Sequence, residues 1–520
     1  MTRTRSTSAT TTISAVLIVK DEAAVLDASL AALHWVDEII VYDTGSSDST
    51  REIAAKYTEH VIDGSWDDDF GAARNRALEH ATSDWVLSID ADEIFQGDPG
   101  RLRAALDPDV GRYMVLAENL SDLGADRTIF GVVRVFLRAG YRWSGKLHEK
   151  LVGRSSELEL AVVRPIPDVS LLHSGYLAES VAGKDKAARN LKIARTELES
   201  AVSEQRPSET IAFLRANVAR TLGMAGQMSE GLALGRETLD SGSLTREGIV
   251  TLVTAMVEYA VILEDDAAVD AMLDLWIEHA DNPAWALGRK AVVLAGREDV
   301  HGTLDILDRI PTTVVDSRQM RFIKHELAAV EVWALMRAER FKDAVRVAVR
   351  AAGAGYPSLE PSLLTEIFDR ARTPLADLVR AIPDTLWTTL AMQATNNPIR
   401  SSRIFLEEMN RHRPGDPTVL TCVSVLAGVL SLEEAAAWAV ELRTYGMVED
   451  CPLVAIALDG SADPRQRAVA GAMVLDVYGD ERAVPGLEAA LALVPAEQEA
   501  ELVSYLDVVA PGLVSHASAS

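Results

Sequence analysis

Apolar runs and helix-spaced stretches alternate through the first hundred residues. Ile13-Ser14-Ala15-Val16-Leu17-Ile18-Val19 reads as a buried strand that stops at the polar Lys20-Asp21-Glu22. Glu22 to Leu33 has helical spacing, and Glu38-Ile39-Ile40-Val41-Tyr42 is a second apolar strand. It opens into Asp43-Thr44-Gly45-Ser46-Ser47-Asp48-Ser49-Thr50, where glycine permits a tight turn and Ser, Asp and Thr supply helix caps. Arg51 to Tyr57 predicts a helix, His60-Val61-Ile62-Asp63 a third strand, and Trp85-Val86-Leu87 a further strand. Strand, turn and helix in repetition predict a parallel sheet covered by helices. Ligands of such sheets bind beyond the carboxyl ends of the strands. Lys20-Asp21-Glu22, Asp43 and Asp90-Ala91-Asp92 all fall at those ends, so the pattern predicts one polar cleft.

Beyond about Ala178 strand-like alternation stops, and Ala, Leu, Arg and Glu at helical spacing take over. Lys184 to Ser203 predicts a long bridging helix that ends before Gln205-Arg206-Pro207. Helix pairs then recur: Thr210–Met224 with Ser229–Leu239, Gly248–Leu263 with Ala267–His279, and Pro283–Ala295 with Thr303–Ile310. Arg321–Ala338 pairs with Lys342–Ala352, and Thr418–Leu430 with Leu432–Tyr445. The spacing is near the tetratricopeptide period, which predicts a degenerate solenoid of that kind. The expected division is a disordered leader over 1–12, an α/β domain over 13–178, a bridging helix over 179–206, repeats over 207–458 and a helical cap and tail over 459–520.

Ser88-Ile89-Asp90-Ala91-Asp92-Glu93 carries the sharpest chemistry. Residues i and i+2 of a strand point the same way, so Asp90 and Asp92 can reach one ion. Hard oxygen ligands of this kind suit Mg²⁺ or Mn²⁺ bridging phosphates. A solvated strand-end turn is the plain alternative for an isolated Asp-X-Asp.

Five separated blocks, in order, resemble family 2 glycosyltransferases of the GT-A fold, in the branch with a helical-repeat tail. They are VLIVKDE (16–22), VDEIIVYDTGSSDST (36–50), the run from Trp66 to Glu93, VRVFLRAGYRWSGKLHEKL (133–151), and LLHSGY (171–176) followed by KAARNL (186–191). The resemblance covers roughly the first 195 residues. It implies an α/β, Rossmann-like, mainly parallel GT-A domain followed by an all-α, tetratricopeptide-like region. The branch includes peptide-glycosylating enzymes of the sublancin type and enzymes that build cell-envelope polymers.

An inverting transfer must stabilise a departing diphosphate and remove the acceptor's proton. Asp92 is the candidate direct metal ligand and Asp90 its helper, through the ribose or a water. The resemblance implies a further ligand from a histidine near the end of the domain, where His173 stands. It also implies a carboxylate base on a later segment, where Glu149 stands, with His148 as runner-up. The plain alternatives are a surface salt bridge of Glu149 with Lys150 and a core histidine at 173. For the nucleotide, the resemblance points to Lys20, Asp21, Glu22 and Asp43, and Ala91 lies between the two aspartates. Asp43 is placed to accept from a pyrimidine ring nitrogen, which favours uridine. Arg74 and Asn75 sit on the helix before the metal strand. Arg74 either pairs with the diphosphate bidentately or buttresses Asp90 or Asp43 by an ion pair. Asp67-Asp68-Asp69 reads as a loop and helix cap. Arg134, Arg138, Arg142 and Trp143, with Tyr176, are candidates for the sugar or acceptor pocket.

Composition changes little in this picture. The 520 residues carry a formal charge of −27, which argues against nonspecific binding to nucleic acid or anionic membrane. The two cysteines, Cys422 and Cys451, imply no disulfide framework, no run is long enough to span a membrane, and a cytoplasmic protein is expected. The expected cofactor is Mn²⁺ or Mg²⁺, and the expected partners are a nucleoside diphosphate sugar and a peptide or protein acceptor. A cell-envelope glycan or small-molecule acceptor is the alternative. The repeats would dock the acceptor or a second copy of the chain. A repeat scaffold with an inactive transferase domain is the reading from another functional class.

Overall fold

The structure, a computed structural model, describes residues 11–120, 127–173, 180–316 and 321–513. The chain divides into two compact units: residues up to Leu287 with Thr313–Phe322, and Gly288–Thr312 with Ile323 onward.

The first unit is built on an eight-stranded sheet. In chain order its elements are β1 (Ile13–Val19), α1 (Leu26–Ala31), β2 (Glu38–Asp43), α2 (Thr50–Ala54), β3 (Val61–Asp63), α3 (Phe70–Glu79), β4 (Trp85–Ser88), β5 (Glu93–Gly97), α4 (Pro99–Ala105), β6 (Arg112–Leu120), β7 (Arg127–Leu137), β8 (Tyr141–Ser144), β9 (Lys150–Gly153), α5 (Ser156–Glu159) and β10 (Arg164–His173). The sheet order is β3-β2-β1-β4-β7-β6-β10-β5, and β8 and β9 form a separate hairpin. The half β3-β2-β1-β4 is parallel throughout. It is a Rossmann-like arrangement, as the GT-A reading expects. The other half is mixed: β7 is antiparallel to β4 and β6, β10 is parallel to β6, and β5 is antiparallel to β10. The sequence pattern showed the parallel half only.

β1 is a continuous apolar run because helices cover both its faces. Leu17, Leu26, Leu30, Leu33 and Val41 fill one layer, and Val16, Ile40, Ala77, Leu78 and Phe136 the other. Register aligns Val19 with Asp43 and Val16 with Ser88, which brings the three carboxyl-end turns to one edge. Asp69 caps α3 by accepting from the Ala72 amide at 2.7 Å.

Five helices of the first unit follow: α6 (Ser180–Ser203), α7 (Ser208–Met224), α8 (Met228–Asp240), α9 (Arg246–Ile262) and α10 (Asp266–His279). α11 (Ala284–Gly296) contains the unit boundary. These are the helix pairs the spacing predicted. The expected junctions near 178 fall outside the described residues, and the sheet and the first helical pairs share one unit.

The second unit is almost wholly helical. Phe368, Trp387, Phe405, Trp438 and the unpaired Cys422 and Cys451 lie in its main core. The helix Leu432–Thr444 begins with a capping box formed by Ser431 and Glu434. One expected helix is corrected. Arg321–Ile323 is extended and Lys324–Leu327 is a 3₁₀ turn, so the helix runs only over Ala328–Arg337. Phe322-Ile323 favours extended backbone, which overrides the alanine-rich remainder. Pro361–Ala371, Asp384–Asn396 and Arg400–His412 are helices that the pair count omitted. Among the described residues no helix is long and apolar enough to cross a membrane.

Gly71, in the first turn of α3, allows close approach of another segment: a Cβ there would meet the Gly145 carbonyl oxygen at 2.5 Å. Gly71→Ala should therefore destabilise the first unit by about 1–3 kcal/mol through overpacking, despite alanine's better helix propensity. Thermal unfolding followed by near-ultraviolet circular dichroism would show the lowered midpoint.

Candidate active site

The turns after β1, β2 and β4 form a polar edge. After β2, the Asp43 Oδ1 accepts from the Gly45 amide at 3.1 Å, and from the Ser46 amide and hydroxyl at 2.8 Å each. Gly45 has φ of +104°, a conformation that suits glycine. Asp43 is fully buried. Its Oδ2 takes no hydrogen bond among the described residues and faces the Arg51 guanidinium at 3.5 Å. Asp21, with φ of +54°, accepts from the Ser47 amide at 2.7 Å, so the first two turns are tied together. Lys20 and Asp21 are exposed, and Glu22 is half-buried. Burial pushes the Glu22 carboxyl up, the carboxylates of Asp92, Asp48 and Asp90 add to that, and Lys186 on α6 opposes it. The edge is thus strongly acidic.

At the centre is Arg74, buried on α3. Its Nη2 donates to Asp90 Oδ1 at 2.7 Å, its Nε to Glu149 Oε1 at 2.6 Å, and its Nη1 to the Ser88 hydroxyl at 3.3 Å. The guanidinium stands 5.3 Å from the centre of the Trp143 ring. Of the two roles open to Arg74, the observed partners are those of the buttress. Arg134 on β7 completes the network through Asp90 Oδ2 at 2.5 Å and Glu93 Oε1 at 2.9 Å. Burial alone would raise the Asp90 carboxyl, but the Arg134 and Arg74 charges overcome it and hold the group well below the usual carboxylate range. Glu93 is also buried, and burial pushes its carboxyl up. Both Asp90 oxygens are engaged by arginines, so Asp90 is the hub of an ion-pair network rather than an outward-facing ligand.

Asp92 points elsewhere and meets His173, whose Nε2 lies 3.2 Å from Asp92 Oδ2. The hydrogen bond to Asp92 raises the imidazole's pKa against the effect of burial. Sheet register explains the meeting: His173 on β10 is the cross-strand partner of Glu93 on β5, the residue after Asp92. Among the described residues no group of three or more His, Cys, Asp or Glu side chains is arranged to hold a metal ion alone. The carboxylate of Asp92 and the imidazole of His173 are donor types that would suit a divalent cation.

Several other candidates take different places. Asn75 donates to the Trp143 carbonyl and accepts from the Trp143 amide, both at 2.9 Å, so its amide is spent pinning β8 to α3. Trp143 is buried against Phe136 and underlies Arg74, so it is not a pocket wall open to substrate. Arg142 is exposed on the opposite face of β8, away from this centre. Ala91 is buried between its two aspartates. Arg138 donates to the Ser83 carbonyl at 2.8 Å, and Arg134 belongs to the ion-pair hub. Tyr176 lies outside the described residues.

The Lys146–Glu149 loop carries the base candidates. Among the described residues Arg74 is the hydrogen-bond donor to Glu149, so Glu149 faces the hub and not Lys150. Lys150 instead stands 4.5 Å over the Phe213 ring. His148 has φ of +57°, and its Nε2 is buried with no hydrogen-bond partner among the described residues. Burial, with Arg220, lowers its pKa to about 4. An imidazole held that low is a weak proton acceptor.

The sequence reading passed over Glu93 and gave Arg134 another role. The signal for both was present: an arginine inside the apolar Val132–Leu137 run needs a buried acid, and Glu93 follows the Asp-X-Asp directly.

Keeping His148 neutral contributes stability that is fully present above pH 6.5 and is lost as pH falls toward about 4. The loss should be on the order of 3 kcal/mol. His148→Asn, which tolerates the left-handed backbone, should flatten the fall in unfolding midpoint between pH 7 and 4.5.

Residues 14–108 match the model of the family described as Glycosyl transferase family 2. Over 109 residues the chain is 44% identical to a TPR repeat-containing protein of Synechococcus elongatus, covering 20% of this chain and 27% of that one. Over 175 residues it is 28% identical to the SPbeta prophage-derived glycosyltransferase SunS of Bacillus subtilis, covering 30% and 38% respectively. The chain thus spans between about a quarter and two fifths of the length of these curated relatives. Among solved structures, residues 1–349 of S. aureus TarS align at 13% identity over 52% of this chain and 88% of that one, with a TM-score of 0.26. At that score the likeness says nothing about this chain.

Proposed function

We propose that the protein is a metal-assisted, inverting glycosyltransferase that moves a sugar from a nucleoside diphosphate, preferentially UDP, to a peptide or protein side chain. The observation that carries this reading is the Asp92–His173 pair at 3.2 Å, beside a base-bearing loop tied through Arg74 to the same Asp90–Asp92 turn. The family match over residues 14–108 supports the transfer class, and the peptide acceptor is what the resemblance implies.

Asp92 and His173 would hold Mn²⁺ or Mg²⁺. When bound, the ion supplies Lewis-acid stabilisation of the charge that builds on the leaving diphosphate. The field supports a cation: a diphosphate entering beside Glu22, Asp48 and Asp92 meets like charge. Arg74 is already committed to two carboxylates, and Lys186 on α6, within electrostatic reach of Glu22, would face the phosphates. Asp43 Oδ2 would accept a ring N–H of uracil once Arg51, half-exposed and 3.5 Å away, swings aside. In the transfer, the acceptor's nucleophilic atom bonds to the anomeric carbon as the bond from that carbon to the diphosphate oxygen breaks. Glu149 takes the acceptor's proton, and Arg74 fixes the orientation of its carboxylate. A cytoplasmic setting, where nucleotide sugars are made, belongs to the same proposal.

Calorimetry with UDP should show binding with Mn²⁺ that chelator abolishes. Asp92→Asn should remove this metal-supported binding. Glu149→Gln should leave it intact while cutting transfer by about 10²-fold or more. No UDP binding by well-folded protein would overturn the proposal in favour of a non-catalytic repeat scaffold. Asp43→Asn keeps one carbonyl oxygen for the Gly45–Ser46 turn but loses the second acceptor. It should weaken UDP binding about tenfold, the worth of one hydrogen bond.

A further inference from the structure

The loop that carries Glu149 is not held by the sheet alone. The Lys146 amide donates to Glu197 Oε1 on α6 at 3.0 Å, and the Lys146 carbonyl accepts from the Phe70 amide at the start of α3 at 2.9 Å. Leu147 is buried in a cluster made by Leu191, Ile193 and Ala194 of α6 and Val218 and Leu222 of α7, with Trp66 and Phe70 at its edge. His148 follows in a left-handed conformation and lies within electrostatic reach of Arg220 on α7. Lys150 then stands over Phe213, again on α7. Lys146, Leu147 and Lys150 are therefore seated on the first two helices after the sheet. Glu149, between them, meets Arg74 instead.

We infer that α6 and α7 are the rear wall of the active site, and that Glu197 is a positioning residue that sets the Glu149 carboxylate against Arg74 by anchoring the Lys146 amide. This deepens the transferase reading and rests on it for its catalytic consequence. The transferase unit accordingly extends through the first helical pairs, in keeping with a compact unit that runs to Leu287. Their job here is distinct from docking an acceptor. Losing the amide's acceptor would let the loop shift, and a shift on the scale of an ångström is enough to cost about 10²-fold in a rate set by geometry.

The test uses the full chain with Glu197→Ala and Glu197→Gln, because the glutamine carbonyl can still accept from the Lys146 amide. Three readouts are needed: hydrogen exchange of the segment 145–151, calorimetric binding of UDP with Mn²⁺, and release of UDP from UDP-glucose and UDP-N-acetylglucosamine with water as acceptor. The alanine variant should exchange at least about tenfold faster at Lys146, bind UDP as the parent does, and lose about 10- to 100-fold in kcat with little change in KM. The glutamine variant should recover to within about threefold, as one neutral hydrogen bond is replaced by another. Unchanged exchange in the alanine variant would overturn the clamp, whatever the activity. Faster exchange with undiminished kcat would overturn the positioning role. Failure of the parent chain to bind UDP would sink the transferase reading, and the exchange comparison would still decide whether α6 holds the loop.

Discussion

The buried guanidinium of Arg74 is the constraint on which the candidate site depends. A cation removed from water must be neutralised and hydrogen-bonded in place, and losing one partner leaves an uncompensated charge. Arg74 meets that demand with two carboxylates that are far apart in the chain, Asp90 and Glu149, and with the Ser88 hydroxyl. The strand that ends in the Asp90–Asp92 turn and the loop that bears the base candidate are thereby held at one point. Arg134 and Glu93 extend the same balance on the far side of Asp90. A planar guanidinium spreads its donors in a fixed fork that reaches three separated acceptors, where a lysine's three donors sit on one compact ammonium.

Around that neutralised hub the cleft remains acidic. Glu22 is pushed upward by burial and by the carboxylates near it. Asp92 is paired with His173. This separates two tasks that a single Asp-X-Asp pattern tends to merge. Asp90 is invested in architecture, whereas Asp92 is the carboxylate presented with an imidazole. On the proposed reading, negative charge next to such a pair would favour a cation.

Much of the parallel half was legible from the chain. Its strands are buried on both faces and so appear as unbroken apolar runs, and the turns that follow them announce themselves through Gly45, Asp43 and Asp69. The second half of the sheet was not. β6, β7 and β10 are long and irregular in polarity, with register shifts at Tyr113/Met114 and Pro165/Ser170 that blur a period of two. Asn75 read as a nucleotide ligand because its use by the Trp143 backbone is a contact across 68 positions. The extended Phe322-Ile323 was absorbed into a helix for the opposite reason, as local propensity at two residues was outvoted by the composition around them.

The sequence by itself determined the kinds of element, the order in which they come, and the polar turns at the strand ends. These depend on periodicities of two and 3.6 residues and on turn chemistry, all of which act between near neighbours. Only the tertiary structure decided how the chemistry is shared out. Register between β5 and β10 put His173 beside Asp92, two arginines claimed Asp90, and α6 with α7 closed behind the Glu149 loop. Each of those outcomes is a pairing of distant residues settled by burial and charge neutralisation. No local pattern encodes which of several acids a buried arginine will meet.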